Sequence, residues 1–191
     1  VLPQGNALIK TMEEKSVRTI FLQGLLASAT PMFFASIVKR WQKTVLFILN
    51  DNDEAGYFYN DLKTIAMPDD ANEQTAEVLF FPSSYRRAVK YGQRDAGNEI
   101  LRTEVLSHLS VINEEKTTSS LPLCIVTEPS ALAELVVAKH KLDEHTLSIC
   151  VGQTIDLTET EKTLRSYGFQ QVDYVYEPGQ FAVRGSILDV Y

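Results

Sequence analysis

The stretch TVLFILNDNDEAGYFYNDLKTI, residues 44–65, decides the fold class. Its first six residues form a continuous apolar run, which predicts a strand buried on both faces of a parallel sheet. Asn50 or Asp51 then stands where a helix N-cap is expected, and Asp53–Ile65 carries apolar residues at helical spacing. The stretch therefore predicts a strand followed by a helix, which is the repeating unit of an α/β domain.

The same alternation continues on both sides of this stretch. Because β-rich runs alternate with helical runs along the chain, the pattern indicates βαβ units and a parallel sheet. The further predicted strands are Thr19–Leu22, Glu77–Phe81 and Leu123–Thr127, and the further predicted helices are Pro31–Gln42, Asp95–Leu109 and Ser130–Ala138.

The composition changes near Leu142. Residues 142–191 contain 3 Lys and Arg against 8 Asp and Glu, whereas residues 1–141 contain 15 against 17. The shift predicts a first domain over 1–141 and a smaller α+β domain that begins at 142. The chain stops at Tyr191 inside an apparent strand, so we expect this second domain to be truncated.

Short elements separated by turns are predicted in this second part. Strands are expected at Thr146–Val151 and Val172–Tyr176, with a helix at Glu159–Tyr167 that Gly168 ends. The Pro-Gly pair of Glu177–Gln180 suits a type II turn, since glycine accepts a positive φ. Antiparallel β structure is expected to follow over Phe181–Tyr191.

Composition excludes several classes of protein. The formal net charge of −7 argues against a generic nucleic-acid binder, and no apolar run approaches the 18 residues of a transmembrane helix. The two cysteines, Cys124 and Cys150, both lie in apolar runs, which predicts buried reduced thiols in a cytoplasmic protein. No metal-ligand spacing or hydrolase motif is found, so no metal and no catalytic residue is predicted.

The loop before the first long helix has the position of a phosphate-binding loop. A working loop reads G-x-x-x-x-G-K-[ST]. Aligned on Gly24, the second glycine is replaced by Ala29, the lysine by Thr30, and the Mg²⁺-binding hydroxyl by Pro31. Without them the phosphates lose their fixed cation and the metal loses a ligand. We therefore expect a turn into a helix, capped by Ser28 or Thr30, and no bound nucleotide.

Three blocks together carry a family resemblance. The first is this degenerate loop with residues 44–62, the second is VLFFPSSY with residues 95–109, and the third is LRSYGFQQVDYVYEPGQFAVRGSILDVY. The third is the most specific, with Glu177-Pro178-Gly179 followed by Val183-Arg184-Gly185. The sequence resembles the N-terminal region of bacterial transcription-repair coupling factors (Mfd), a region that is itself similar to the excinuclease subunit UvrB.

The resemblance implies a fold and a partner. It implies a RecA-like first domain with a degenerate P-loop, followed by the start of a UvrB-like second domain that binds the damage-recognition subunit UvrA. The ATP- and Mg²⁺-dependent DNA translocase motor and the contacts with RNA polymerase and double-stranded DNA would lie in other domains. The chain would then be a non-catalytic module of nucleotide excision repair, without a cofactor of its own.

Arg184 is the candidate partner-binding residue. The resemblance matches it to an arginine that contacts UvrA in the family. From the residues alone it is a solvated strand arginine, or one paired with Glu177 or Asp189. With the resemblance, a partner contact is favoured, since arginine presents a rigid fork to carboxylates.

A second candidate surface is the basic cluster Arg86, Arg87, Lys90 and Arg94, flanked by Tyr85 and Tyr91. Basic and aromatic residues together suit nucleic acid, although four charges give weak, salt-sensitive binding. A solvated loop and an interdomain contact are the alternatives.

Two other functions stay open. The first alternative to UvrA recruitment is a regulatory domain that restrains the downstream translocase motor. The second, against the evidence of Thr30 and Pro31, is an active UvrB-like ATP-dependent DNA repair enzyme.

Overall fold

The computed structural model describes residues 3–41, 43–66, 76–85, 94–114 and 122–191. The chain divides into two compact units, Val1–Leu135 and Val136–Tyr191. The first unit contains α1 (Pro3–Glu13), α2 (Ala29–Trp41), β1 (Val45–Ile48), α3 (Asn52–Ala66), β2 (Glu77–Phe81), α4 (Ala96–Glu114), β3 (Leu123–Thr127) and α5 (Pro129–Ala133). The second contains α6 (Lys139–Glu144), α7 (Leu157–Ser166), β4 (Gln170–Gln171), β5 (Gln180–Arg184) and β6 (Ile187–Val190).

The first unit is built on a three-stranded parallel sheet in the order β1-β3-β2. Strand β3 is buried along its whole length, because it pairs with a neighbour on each side. The mixed α/β class and the parallel sheet that the sequence predicted are confirmed, and β2 and β3 have the predicted bounds.

Helices cover the two faces of this sheet unequally. On one face, Phe47 and Val126 pack with Phe58 and Leu62 of α3 and with residues of α2. On the other face, Val105 of α4 packs with residues of β2 and β3, such as Leu79 and Ile125.

Because helices cover the two faces of the sheet unequally, the prediction that strand β1 is buried on both faces is wrong. Strand β1 is not buried on both faces, because Leu46 and Ile48 are 49% and 54% exposed. Among the described residues, the core under α4 draws on β2 and β3 and does not extend to β1.

The predicted strand Thr19–Leu22 is wrong. These residues have no regular secondary structure, and Phe21 is 86% exposed. Ile20 instead packs against a small apolar cluster formed by α1 and α2 around Leu8 and Ile37. A strand needs a neighbour for its backbone hydrogen bonds, and an apolar run does not supply that neighbour by itself.

The predicted helix Ser130–Ala138 is also too long. Helix α5 ends at Ala133, and Glu134 takes an extended conformation with φ −80° and ψ 144°. The carboxylate of Glu134 is held by Ser83 and Ser84, which lie just past the end of β2. The helix therefore ends at this tertiary contact, and the helical periodicity of the sequence does not reveal the contact.

The second unit packs α7 onto a small mixed sheet in the order β4-β5-β6. Its most buried side chains include Leu164 of α7 and Phe181 of β5. Strands β5 and β6 are antiparallel, as predicted, but β4 pairs with β5 in parallel. The strands predicted at Thr146–Val151 and Val172–Tyr176 are wrong, since neither segment forms one.

The two cysteines differ. Cys124 is buried in β3, as predicted, and burial raises the pKa of its thiol to about 12. Cys150 is exposed, which corrects the prediction of a buried thiol, because its segment is not part of a sheet. Among the described helices, none combines the length and the apolar character needed to cross a bilayer.

Candidate functional site

Arg184 lies at the end of β5, beside a tight hairpin turn. It pairs with Ile187 across the hairpin, so that only Gly185 and Ser186 connect the two strands. Gly185 has a φ of +63°, which suits the first position of a type II′ turn and favours glycine there. The turn therefore fixes where the Arg184 side chain leaves the sheet.

The guanidinium of Arg184 makes two contacts within the unit. It forms an ion pair with the carboxylate of Asp189, and it lies 5.0 Å from the ring centre of Tyr174. The side chain is still 48% exposed. Exposed ion pairs contribute only about 0–1 kcal/mol, so the contact with Asp189 leaves the arginine accessible to a protein partner.

Arg184 shares an open groove with a second arginine that the sequence reasoning missed. The groove measures about 910 Å³, and Arg165 of α7 lines it together with Tyr174, Val183 and Arg184. The guanidinium of Arg165 lies 5.6 Å from the ring centre of Phe181 and donates to the side-chain oxygen of Gln171. The groove thus places two guanidinium groups and the carboxylate residue Asp173 on one surface.

Local structure explains why Arg165 points there. Asp156 caps α7 by accepting from the N–H groups of Thr158 at 2.8 Å and Glu159 at 3.2 Å. Gly168, with φ +90°, ends the helix as predicted, and the chain turns back into β4. Arg165 therefore lies in the last turn of α7, at the edge that faces the sheet. No spacing in the sequence relates it to Arg184.

The Glu-Pro-Gly turn lies between Tyr174 and β5 in the chain. Gly179 has a φ of +82°, as the predicted type II turn requires. The side-chain oxygen of Gln180 accepts hydrogen bonds from the N–H groups of Tyr176 at 2.9 Å and Glu177 at 3.1 Å. Tyr174 and Tyr176 are both exposed before this turn, and Tyr174 lines the groove with the two arginines.

The phosphate-loop candidate residues lie beside carboxylates. Gly24 has a φ of +89°, Ser28 directly precedes α2, and Ala29, Thr30 and Pro31 are the first three residues of the helix. Because Thr30 lies inside α2, the prediction that Thr30 caps the helix is wrong. A groove of about 550 Å³ runs along this loop. Its lining includes Ser28, Thr30, Pro31, Leu49, Glu54 and Asp61.

The groove along this loop has the wrong charge for phosphate. Two carboxylates, those of Glu54 and Asp61, line it, and its described lining contains no lysine or arginine. A nucleoside triphosphate would therefore meet like charge there.

Asp51 accepts a hydrogen bond from the N–H of Glu54 at 2.9 Å, which confirms the predicted cap of α3.

The basic cluster is only partly described. Arg86, Arg87 and Lys90 lie outside the described residues. The backbones of Arg94 and Tyr85 form an isolated antiparallel β-bridge. The guanidinium of Arg94 donates a hydrogen bond to the carboxylate of Glu99 at 2.8 Å. This hydrogen bond and the charge of Glu99 raise the pKa of Arg94.

A buried polar network lies at the carboxyl end of β2. Arg102 of α4 is 7% exposed, donates to the carbonyl of Pro82 at 2.8 Å and lies 3.5 Å from the carboxylate of Glu134. Glu134 also accepts from the hydroxyls of Ser83 at 2.5 Å and Ser84 at 2.6 Å. Burial raises the pKa of Glu134, but these hydrogen bonds and the charge of Arg102 outweigh it, and the pKa falls below its usual value. These contacts hold Glu134, near the C-terminal end of the first unit, against the end of β2.

Comparison with known proteins relates the chain to DNA repair. Residues 147–191 match the family model described as "UvrB interaction domain". The chain is 23% identical over 178 residues to the transcription-repair-coupling factor of Bacillus subtilis (strain 168). It is 25% identical over 175 residues to UvrABC system protein B of Treponema denticola and of Treponema pallidum.

Each of these matches covers 89% of this chain but a small part of the relative. The chain spans 13% of the length of the coupling factor and 25% of the length of each UvrABC system protein B. The matched range 147–191 contains α7, the β4–β6 sheet and the groove with Arg165 and Arg184. The resemblance that the motifs predicted is therefore confirmed: this chain is similar to a transcription-repair-coupling factor and to UvrABC system protein B, and residues 147–191 of its second unit match the model of the UvrB interaction domain.

Proposed function

We propose that this chain is the non-catalytic N-terminal module of a transcription-repair coupling factor. In this proposal it recruits UvrA to sites of stalled RNA polymerase, as a step of transcription-coupled nucleotide excision repair in the cytoplasm. The observation that carries the proposal is that the match to the UvrB interaction domain contains the groove where Arg165 and Arg184 are both accessible.

The chemistry of this groove suits a protein partner. Two guanidinium forks and the exposed ring of Tyr174 offer the residue types that are enriched at interface hot spots. A partner that presents carboxylates would exchange the weak pair of Arg184 with Asp189 for an intermolecular pair shielded from water. Arg184 is the main contact in this proposal and Arg165 the second.

The first unit is proposed to be a RecA-like domain with a degenerate P-loop. Its parallel sheet and the turn from Gly24 into α2 support this relationship. Thr30 and Pro31 stand where the lysine and the metal-binding hydroxyl would be needed, and Glu54 and Asp61 face the same groove. We therefore propose that this module binds neither ATP nor Mg²⁺ and is not an enzyme.

The remaining activities would belong to other parts of a longer protein. In the proposal, an ATP- and Mg²⁺-dependent motor moves on double-stranded DNA, and a separate domain contacts RNA polymerase. This module would supply only the connection to UvrA.

A titration of purified UvrA against the 191-residue chain tests the proposal. Wild type, Arg184→Ala and the control Lys162→Ala would be compared at fixed salt, with circular dichroism to verify folding. Lys162 is an exposed cation of α7 that pairs with Glu159, away from the groove. We expect a loss of roughly 2 kcal/mol for Arg184→Ala, or about thirtyfold in affinity, and little change for the control. Absence of binding by the folded wild-type chain would refute recruitment.

A further inference from the structure

A second groove lies in the first unit, far along the chain from Arg184. It has a volume of about 390 Å³, and its walls come from three segments. Helix α1 contributes Leu8 and Met12, helix α2 contributes Phe34 and Trp41, and the irregular segment between them contributes Ile20 and Leu22. We refer to these six residues as the α1–α2 groove.

The α1–α2 groove is apolar and rests on a firm base. Leu8 is 7% exposed and belongs, with Phe33 and Ile37, to the cluster that joins the two helices. Phe21, next to the groove residues Ile20 and Leu22, is 86% exposed. The ring of Phe21 does not itself line the groove.

Two cations lie at this groove, Arg18 and Lys43. Residues 15–50 contain five lysines and arginines and no acidic residue, in a chain with a net charge of −7. Arg18 lines the groove, and the ammonium of Lys43 lies 4.5 Å from the ring centre of Trp41. Arg40 donates to Asn6 of α1, where the two helices meet. Glu13 and Glu14, the nearest carboxylates along the chain, do not line the groove.

We propose that the α1–α2 groove binds an acidic amphipathic helix of a protein partner. Apolar side chains at helical spacing on one face of such a helix would enter the cleft between α1 and α2. Carboxylates on its flanks would face Arg18 and Lys43. This site is separate from UvrA recruitment through the second unit and does not depend on it.

A protein segment fits the groove better than a nucleic acid does. The cleft is lined by aliphatic side chains and methionine, together with aromatic rings that are partly buried in the cluster below. Binding of single strands relies instead on exposed aromatic faces on which bases stack, and on a continuous track of cations. Among the nearby cations whose side chains the structure describes, Arg18 and Lys43 contact the groove or its lining.

Trp41 gives a direct measurement, because it is the single tryptophan of the chain and it lines the groove. The probe is a synthetic peptide of about four helical turns, without tryptophan, with leucine and phenylalanine on one face and glutamate on the other. A scrambled peptide of the same composition and a peptide with lysine in place of glutamate serve as controls. The fluorescence of Trp41 is recorded at fixed, low ionic strength while each peptide is added.

We expect the acidic amphipathic peptide to change the Trp41 emission saturably, and the two control peptides to bind more weakly. Arg18→Glu should lower the affinity about tenfold, because it places a like charge at the groove. Lys162→Glu, the same change of charge in the second unit, should have no effect. Met12→Ala should also weaken binding while leaving the fold intact, since Met12 is only partly buried.

Three outcomes would overturn the proposal. They are an unchanged Trp41 emission with the acidic peptide, equal binding of the scrambled or lysine peptide, and equal affinity of wild type and Arg18→Glu. A parallel titration with oligothymidine tests whether the groove binds single-stranded nucleic acid instead of a protein helix. If that strand changes the Trp41 emission saturably at a lower concentration than the acidic peptide requires, and Arg18→Glu weakens this binding, the groove is a nucleic-acid surface and the assignment to an acidic helix is refuted.

Discussion

Arg184 and Asp189 form an ion pair diagonally across one hairpin. In the register of β5 and β6, Arg184 lies opposite Ile187, and Asp189 lies opposite Ala182. The two charged side chains are therefore on the same face, two positions apart along β6, where long side chains can still reach each other. Of the two partners that the sequence offered Arg184, the structure selects Asp189 and not Glu177.

Asp189→Asn tests whether this pair competes with a partner for Arg184. Both side chains are more than 40% exposed, so we expect the free energy of unfolding to change by less than about 1 kcal/mol. Affinity for UvrA should stay the same or rise, since Arg184 loses an internal partner. Chemical denaturation and the UvrA titration measure the two quantities. A loss of affinity as large as that of Arg184→Ala would show that Asp189 itself contacts the partner.

Arg102→Met tests the buried network at the end of β2. Removing the cation leaves the carboxylate of Glu134 without its charged partner, at a site where the two side chains are 7% and 15% exposed. We expect a loss of about 3 kcal/mol in the free energy of unfolding, measured in urea. The matched control is Lys141→Met, which breaks the exposed pair of Lys141 with Glu144 and should cost less than about 1 kcal/mol. Equal effects of the two changes would contradict the role of burial.

The pH dependence of stability should report on Glu134. Its pKa is lower in the folded chain than in the unfolded one, so its stabilising contribution is fully present above the unfolded value of about 4.3. The contribution is lost as the pH falls through the folded pKa. We therefore expect Glu134→Gln to flatten the loss of stability below about pH 4.3. Denaturation of both proteins from pH 7 to pH 3 checks this, and parallel curves would contradict it.

The two thiols should react at different rates. Burial holds the pKa of Cys124 at about 12, so its reactive thiolate is scarce at pH 8, and the folded chain also shields it. Cys150 is exposed. A thiol reagent should label one cysteine quickly in the folded chain and two in denaturant, and Cys150→Ser should remove the fast phase. Fast labelling that survives in Cys150→Ser would show that Cys124 is accessible.

Two glycine substitutions should have opposite signs. Gly179→Ala places a side chain at a φ of +82°, and we expect it to destabilise the second unit by about 1 kcal/mol. Gly56→Ala lies inside α3, with open space around the added methyl group, and should stabilise by about 1 kcal/mol. Thermal denaturation of both variants measures the difference. Equal shifts would contradict the requirement for glycine in the Glu177–Gln180 turn.

The sequence by itself determined those elements whose signal is local or continuous. Strands β2 and β3 have the predicted bounds, because both are short apolar runs of strand length that also have a neighbouring strand to pair with. The cap of α3 by Asp51 and the positive φ of Gly179 and Gly168 were also predictable, because each depends on a few neighbouring residues. Three sequence blocks, of which the one around Arg184 is the most specific, predicted the relationship to coupling factors and UvrB.

Only the tertiary structure decided which residues meet. Thr19–Leu22 and Thr146–Val151 have apolar runs like those of β2 and β3, but they form no strand, because a strand also requires a partner for its backbone hydrogen bonds. Glu134 leaves its predicted helix because its carboxylate is held by Ser83 and Ser84, about fifty positions earlier in the chain. Arg165 and Arg184 share a groove only because α7 packs on β5, and no local pattern encodes that contact.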